Sequence, residues 1–187
     1  MNERLFLQPP EIVEVEGPVI FLAGPIQGAP DWQSQAVEYI WKQDPEIAIA
    51  SPRKDYLPGT FVYEKQVDWE THNLRRAASQ GVIAFWLATE AQRKMKLIER
   101  LKAIASLSLG RSLPLPRAYA QTSRFELGEW KMHHEYEGVK LTVGIEEGFG
   151  NGRYIRRRFS QDCPNVKIAD SLPEMCQNAV ELVTLTD

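Results

Sequence analysis

The 187-residue chain contains only two cysteines, Cys163 and Cys176, and their spacing fits neither a disulfide framework nor a zinc site. Its longest apolar run, residues 82–88, is too short to cross a bilayer. No secretory signal is visible, because the apolar residues 5–7 lead directly to Pro9 and Pro10. We therefore expect a cytoplasmic protein with no membrane partner and no bound metal.

The chain also lacks a strong excess of either charge. Its net charge of −3 argues against a nucleic-acid binder that relies on bulk positive charge. A hydrophobic content of 43% with 25% charged residues is ordinary for a globular protein. The length and composition predict one domain over residues 1–187.

One glycine-bearing stretch organises the rest of the chain. Residues 19–23 form an apolar run typical of a strand buried on both faces, and Gly24 and Gly28 follow before Asp31 starts a helix. A strand, a glycine loop and a helix N-terminus form the place where an open α/β sheet binds ligands. A tight turn without a ligand is the alternative, because this spacing is not the dinucleotide fingerprint.

Strands and helices alternate along the remainder. Residues 1–17 are predicted to form an N-terminal arm or an edge strand. Core strands are predicted at 18–23, 47–50, 82–87, 141–145 and 166–168, and helices at 31–43, 63–80, 90–109, 124–136 and 171–184. This order predicts a Rossmann-like (flavodoxin-like) three-layer sandwich, with a mainly parallel five-stranded sheet and a helical insertion at about 90–118.

Carboxylates are the main candidates for chemistry. Asp31 follows the first core strand, Glu70 lies in the helix before the third, and Glu126 lies near the predicted start of a helix. Its apolar neighbours Phe125 and Leu127 would partly desolvate Glu126 while the helix dipole steadies its charge, a setting that suits a carboxylate nucleophile. The alternative is a capping-box glutamate paired with Ser123.

Three segments in order resemble the nucleoside 2-deoxyribosyltransferase-like family. These are Phe-Leu-Ala-Gly-Pro-Ile (21–26) with Asp31-Trp32, then Trp69-Glu70 before a strand ending in Phe85-Trp86, then Phe-Glu-Leu-Gly (125–128). The resemblance covers about residues 18–160. It implies Glu126 as the nucleophile that attacks the anomeric carbon and Glu70 as the group that handles the base.

The same resemblance implies which residues line the substrate pocket. The first loop, with Gly24, Pro25, Gln27 and Asp31, would line the sugar and base. The family's acidic residue just before the nucleophile is replaced here by Ala120, Gln121 and Thr122. Sugar recognition would then use Gln121, Ser123 or Asp31. No cofactor is implied, because cleavage of an N-glycosidic bond needs one carboxylate near C1′ and one acid near the base.

Other residues have two interpretations each. Trp32 and Trp69 could stack on a base or pack in the core. Arg153 and residues 156–158 could clamp a 5′-phosphate or form an exposed basic face. Asp68 and Glu129 could be further carboxylates or solvated helix residues, and His133 could pair with Glu137 on a helix surface.

The expected partner is a small nucleoside or nucleotide, and the apolar face of 90–109 is a plausible contact in a homo-oligomer. One alternative function is hydrolysis of a nucleoside 5′-monophosphate, held by the arginines or the Gly24–Gly28 loop. The other is a non-catalytic nucleotide-binding module. Sequence alone leaves the base, the sugar and the choice between transfer and hydrolysis open.

Overall fold

The computed structural model describes residues 4–91 and 118–185. Within these ranges the chain forms six strands and five helices. The strands are β1 (Phe6–Leu7), β2 (Val19–Ala23), β3 (Ala48–Ala50), β4 (Val82–Leu87), β5 (Leu141–Ile145) and β6 (Ile168–Ala169). The helices are α1 (Trp32–Gln43), α2 (Tyr63–Gln80), α3 (Gln121–Glu137), α4 (Gly152–Asp162) and α5 (Leu172–Thr184).

All six strands pair in parallel, in the order β1-β3-β2-β4-β5-β6. The predicted α/β three-layer fold is confirmed. The sheet has six strands rather than five because part of the N-terminal arm adds β1 to its edge, where Ile49 N donates to Leu5 O at 2.9 Å.

Helices cover both faces of the sheet, which explains why its central strands are apolar throughout. Every residue of β2, β4 and β5 is buried. Helices α2, α3 and α4 pack on one face through residues such as Trp69, Leu127 and Phe159. Helices α1 and α5 pack on the other through residues such as Ile40 and Met175.

Several helix ends follow local rules that the sequence shows. Asp31 caps α1, because its side chain accepts from Ser34 N at 3.2 Å, and Ser171 caps α5 by accepting from Glu174 N at 3.4 Å. Gly81 ends α2 as predicted. No helix among the described residues is long and apolar enough to cross a membrane. Residues 90 and 91 of the predicted helix 90–109 are not helical. The rest of that helix, its oligomer contact and most of the predicted insertion 90–118 lie outside the described residues.

Candidate active site

The topological switch point of the sheet lies between β2 and β4, where the strand order reverses. From β2 the chain crosses to β3 on one side, whereas β4 adds on the other side, so the loops after β2 and β4 diverge from a common edge. These two loops are joined where Ala91 N donates to Gly28 O at 2.7 Å. The glycine loop therefore lies where the topology predicts a ligand.

Gly24 is required at the first turn of this loop because the backbone of β4 passes directly beside it. Its φ is +148°, and a Cβ there would come within 2.3 Å of the Trp86 carbonyl oxygen and 2.9 Å of the Trp32 ring. The next residue, Pro25, is buried, and its carbonyl accepts from the Trp32 indole N–H at 2.9 Å. Close packing thus explains this glycine without a ligand.

Arg53, from the loop after β3, holds the rest of the first loop. Its guanidinium donates to Pro30 O at 3.0 Å and Ile26 O at 3.3 Å, and its Nε lies 3.3 Å from an Asp31 carboxylate oxygen. Asp31 is exposed and is both the α1 cap and an ion-pair partner, while Gln27 points from the same loop into solvent. Nothing in local sequence spacing links Arg53 to this loop, because the contact is tertiary.

Glu70 on α2 and Glu126 on α3 lie close enough to interact electrostatically. Burial, followed by the charges of Glu70 and Glu129, raises the pKa of Glu126 to about 7. Burial also raises the pKa of Glu70, but a hydrogen bond from Gln66 lowers it in part. Because only Glu70 has this donor, the last proton of the pair resides on Glu126.

The start of α3 differs from the prediction, and the difference changes how Glu126 is held. The helix begins at Gln121, after Ala120 in a left-handed conformation (φ 57°), and it has no side-chain cap. Ser123 is therefore a buried residue inside the helix, and the predicted Ser123 cap is wrong. Glu126 lies in the second turn, beyond the reach of a strong dipole effect, so burial dominates its pKa.

The two tryptophans are core residues. Trp32 is 2% exposed and Trp69 is 1% exposed, and they pack on opposite faces of the sheet. The indole N–H of Trp69 donates to Glu11 O at 3.1 Å, which ties the N-terminal arm to α2. Of the two interpretations for Trp32 and Trp69, the structure favours packing over stacking on a base.

A cleft of about 770 Å³ opens at the start of α3, and Glu70 and Glu126 are not among the residues that line it. It is lined by residues from the loops after β4 and β5 and from the α3 N-terminus, namely Thr89, Glu90, Ala118, Tyr119, Gln121, Arg124, Gly148, Gly150 and Asn151. Of these, only Gln121 was a sequence candidate for substrate contact. The rule that carboxyl ends of parallel strands meet at one edge predicts the positions of Thr89 and the 148–151 loop, which directly follow β4 and β5.

The side chains that shape this cleft bind one another. Arg124 donates to Gly150 O at 2.9 Å and lies 4.5 Å above the Phe149 ring centroid. Thr89 donates from its backbone and its hydroxyl to Glu146 Oε2, at 2.5 and 2.7 Å. Burial and the charges of Glu90 and Glu146 raise the pKa of Tyr119 to about 12, and its hydroxyl donates to Ala88 O at 2.8 Å. The loops that border the cleft are thus cross-linked.

The remaining candidates lie on the surface. Arg156 pairs with Asp170 at 2.6 Å and Arg158 with Asp162 at 2.9 Å, while Arg153 and Arg157 are exposed on α4. The arginines therefore form the exposed face that was one of the two interpretations. Asp68 and Glu129 are exposed helix residues, and His133 lies 2.9 Å from Glu137 on one face of α3.

Over residues 4–91 and 118–185, no group of three or more His, Cys, Asp or Glu side chains could hold a metal ion. No protein-family model matches the chain, and no curated protein matches it.

Proposed function

We propose that this protein cleaves or exchanges the N-glycosidic bond of a nucleoside or deoxynucleoside, with Glu126 as the nucleophile and Glu70 as the partner that handles the base. The observation that carries the proposal is the half-buried, interacting pair of carboxyl groups on α2 and α3 at the carboxyl edge of a parallel sheet. Cleavage through an oxocarbenium-like state uses two carboxyl groups of this kind. The order of the three sequence segments supports the nucleoside as substrate.

The difference between the two carboxyl groups assigns a role to each. Glu126 attacks C1′ as a carboxylate, so the bond to the base breaks as the glycosyl–Glu126 ester forms. Glu70 ionises first, and its carboxylate accepts a hydrogen bond from an N–H of the base and so orients the base. The base leaves with the electron pair of the C1′–N bond and takes a proton from water. A second base, or water, then attacks C1′ and releases Glu126. The rate of the first step rises with pH through about 7, as Glu126 loses its proton.

A chromatographic assay for free base tests this proposal. Nucleosides and their 5′-monophosphates are incubated with the protein, with and without a second base. Glu126→Gln removes the nucleophile without changing the shape of the side chain. We expect a rate loss of at least about 10³-fold. Glu38→Gln is the matched control, because Glu38 is exposed on α1, on the opposite face of the sheet.

The outcomes separate the alternatives. Base exchange lost in Glu126→Gln supports a transferase, and release from monophosphates alone supports a nucleotide hydrolase. Turnover that survives Glu126→Gln contradicts the assigned nucleophile. Tight nucleotide binding without turnover favours a non-catalytic binding module.

A further inference from the structure

The side chain of Gln66 makes three hydrogen bonds that fix its orientation. Its Nε2 donates to Glu70 Oε1 at 2.8 Å and to Pro52 O at 3.0 Å, while its Oε1 accepts from the Tyr56 hydroxyl at 2.7 Å. A flipped amide would place its oxygen against a carbonyl and a carboxylate, so only this orientation satisfies all three partners. The amide nitrogen of Gln66 therefore donates its hydrogen bond to Glu70 in the one orientation that satisfies all three partners.

We propose that Gln66 is a positioning residue that holds the Glu70 carboxylate, in its ionised form, beside Glu126. The assignment rests on the proposed function of the pair. Gln66 and Glu70 lie four residues apart on one face of α2, the spacing at which two helical side chains meet. Through Pro52 and Tyr56, Gln66 also anchors this face of α2 to the loop after β3. Arg53, which follows Pro52 in that loop, donates hydrogen bonds to two backbone carbonyls of the glycine loop after β2.

The charges around Glu70 show why a neutral donor is needed there. Glu126 of α3 and Tyr56 of the preceding loop face Glu70, and Glu129 acts on Glu126 from one turn away. Of these groups, Tyr56 is neutral at ordinary pH and the other two are acids, so none of them stabilises a charge on Glu70. An amide donor stabilises the carboxylate, whereas without it the two glutamates would compete for one proton.

The test is a carbon-13 NMR titration of the glutamate side-chain carboxyl carbons in the full-length protein, assigned with Glu70→Gln and Glu126→Gln. In the wild type we expect Glu70 to titrate at lower pH than Glu126. Gln66→Met keeps the length and helix propensity of the side chain but removes the donor. We expect it to move the Glu70 midpoint up by about one pH unit, a ten-fold change in its acid constant. Gln80→Met, at the exposed end of the same helix, is the matched control.

Tyr56→Phe is a second variant and decides the matter if Gln66→Met fails to fold. It leaves the amide bonded to Pro52 and Glu70, so we expect a smaller upward shift than in Gln66→Met, in the same direction. An unchanged Glu70 midpoint in the folded variants overturns the positioning role. The titration needs no substrate, so a protein without glycosidic activity can still show the shift. In that case only the proposed function fails.

Discussion

On both faces of the sheet, helices pack over an apolar cluster, but the two faces differ in the carboxyl groups that their helices carry. On one face, α1 and α5 pack against each other over an apolar cluster that includes Ile40, Met175 and Cys176. On the other face, α2 and α3 bury an equally apolar cluster but also carry Glu70 and Glu126, whose pKa values are both raised by burial. Burial of carboxyl groups opposes folding. The comparison teaches that the two faces differ in the cost of folding, because only the second holds the two half-buried carboxyl groups of the proposed catalytic pair.

Truncation of a buried apolar side chain, on either face of the sheet, should give the largest effect on stability. Ile40 is fully buried on α1, and Ile40→Ala should lower the free energy of unfolding by about 2–5 kcal/mol in urea titrations. Leu127→Ala, next to Glu126, should cost a similar amount. Activity per folded molecule should fall only for Leu127→Ala, because α3 carries the proposed nucleophile and α1 does not. Equal losses of folded activity in both variants would break the distinction between the faces.

On the face that carries Glu70 and Glu126, the energetic cost of burying a carboxylate should appear as a dependence of stability on pH. The pKa of Glu126 rises from 4.5 to about 7 on folding, so its protonated form favours the folded state. That contribution is fully present below about 4.5 and is lost as the pH rises through about 7. Glu126→Gln should therefore stabilise the protein by about 1–3 kcal/mol at pH 8.5 and by little at pH 4, as measured by urea unfolding. A wild type that is as stable as the variant at pH 8.5 would show that Glu126 carries no buried charge.

The smallest effect should come from the helix caps. Asp31→Ala and Ser171→Ala each remove a cap, of α1 and α5 respectively, and should each cost about 1 kcal/mol. Only Asp31 also pairs with Arg53, which holds two carbonyls of the first loop. We expect Asp31→Ala alone to raise KM in the base-release assay. Equal KM values in the two variants would show that this loop does not contribute to substrate binding.

The sequence predicted the elements whose signals are local. The apolar runs of β2, β4 and β5 could be recognised because strands covered on both faces need no polar residues. Helix α2 ends at Gly81, a common helix stop. The two-residue strand β1 is the edge strand that was one of the two interpretations of residues 1–17, and its pairing with β3 sets its position.

Helix α4 and the start of α3 were missed or misplaced for similar reasons. Only Gly152 and Phe159 of α4 are buried, so its apolar stripe is too sparse to predict a helix. Ala120 adopts a left-handed conformation that alanine rarely takes, which moved the start of α3 upstream of the predicted cap at Ser123.

The candidate site also contains residues that the sequence could indicate and residues that only the structure shows. Glu70 and Glu126 were predicted as catalytic residues from short motifs and from the resemblance that these carry, and that role stays a prediction. Gln66 lies four residues before Glu70 on α2, a spacing that the sequence itself shows. Arg53 and the residues lining the cleft act through tertiary contacts between segments far apart in the chain, such as Arg53 with Pro30. No spacing rule connects such pairs, so they required the structure.

The central claim is that Glu126 forms a bond to the sugar, and mass spectrometry tests it most directly. A nucleoside with fluorine at C2′ destabilises the oxocarbenium-like state and slows release of a glycosyl–enzyme. The intact mass of the protein should rise by the mass of the fluorinated sugar residue, and peptide mapping should place the added mass on Glu126, with none on Glu126→Gln. An adduct on another side chain, or turnover of ordinary nucleosides by Glu126→Gln at the wild-type rate, would contradict the account.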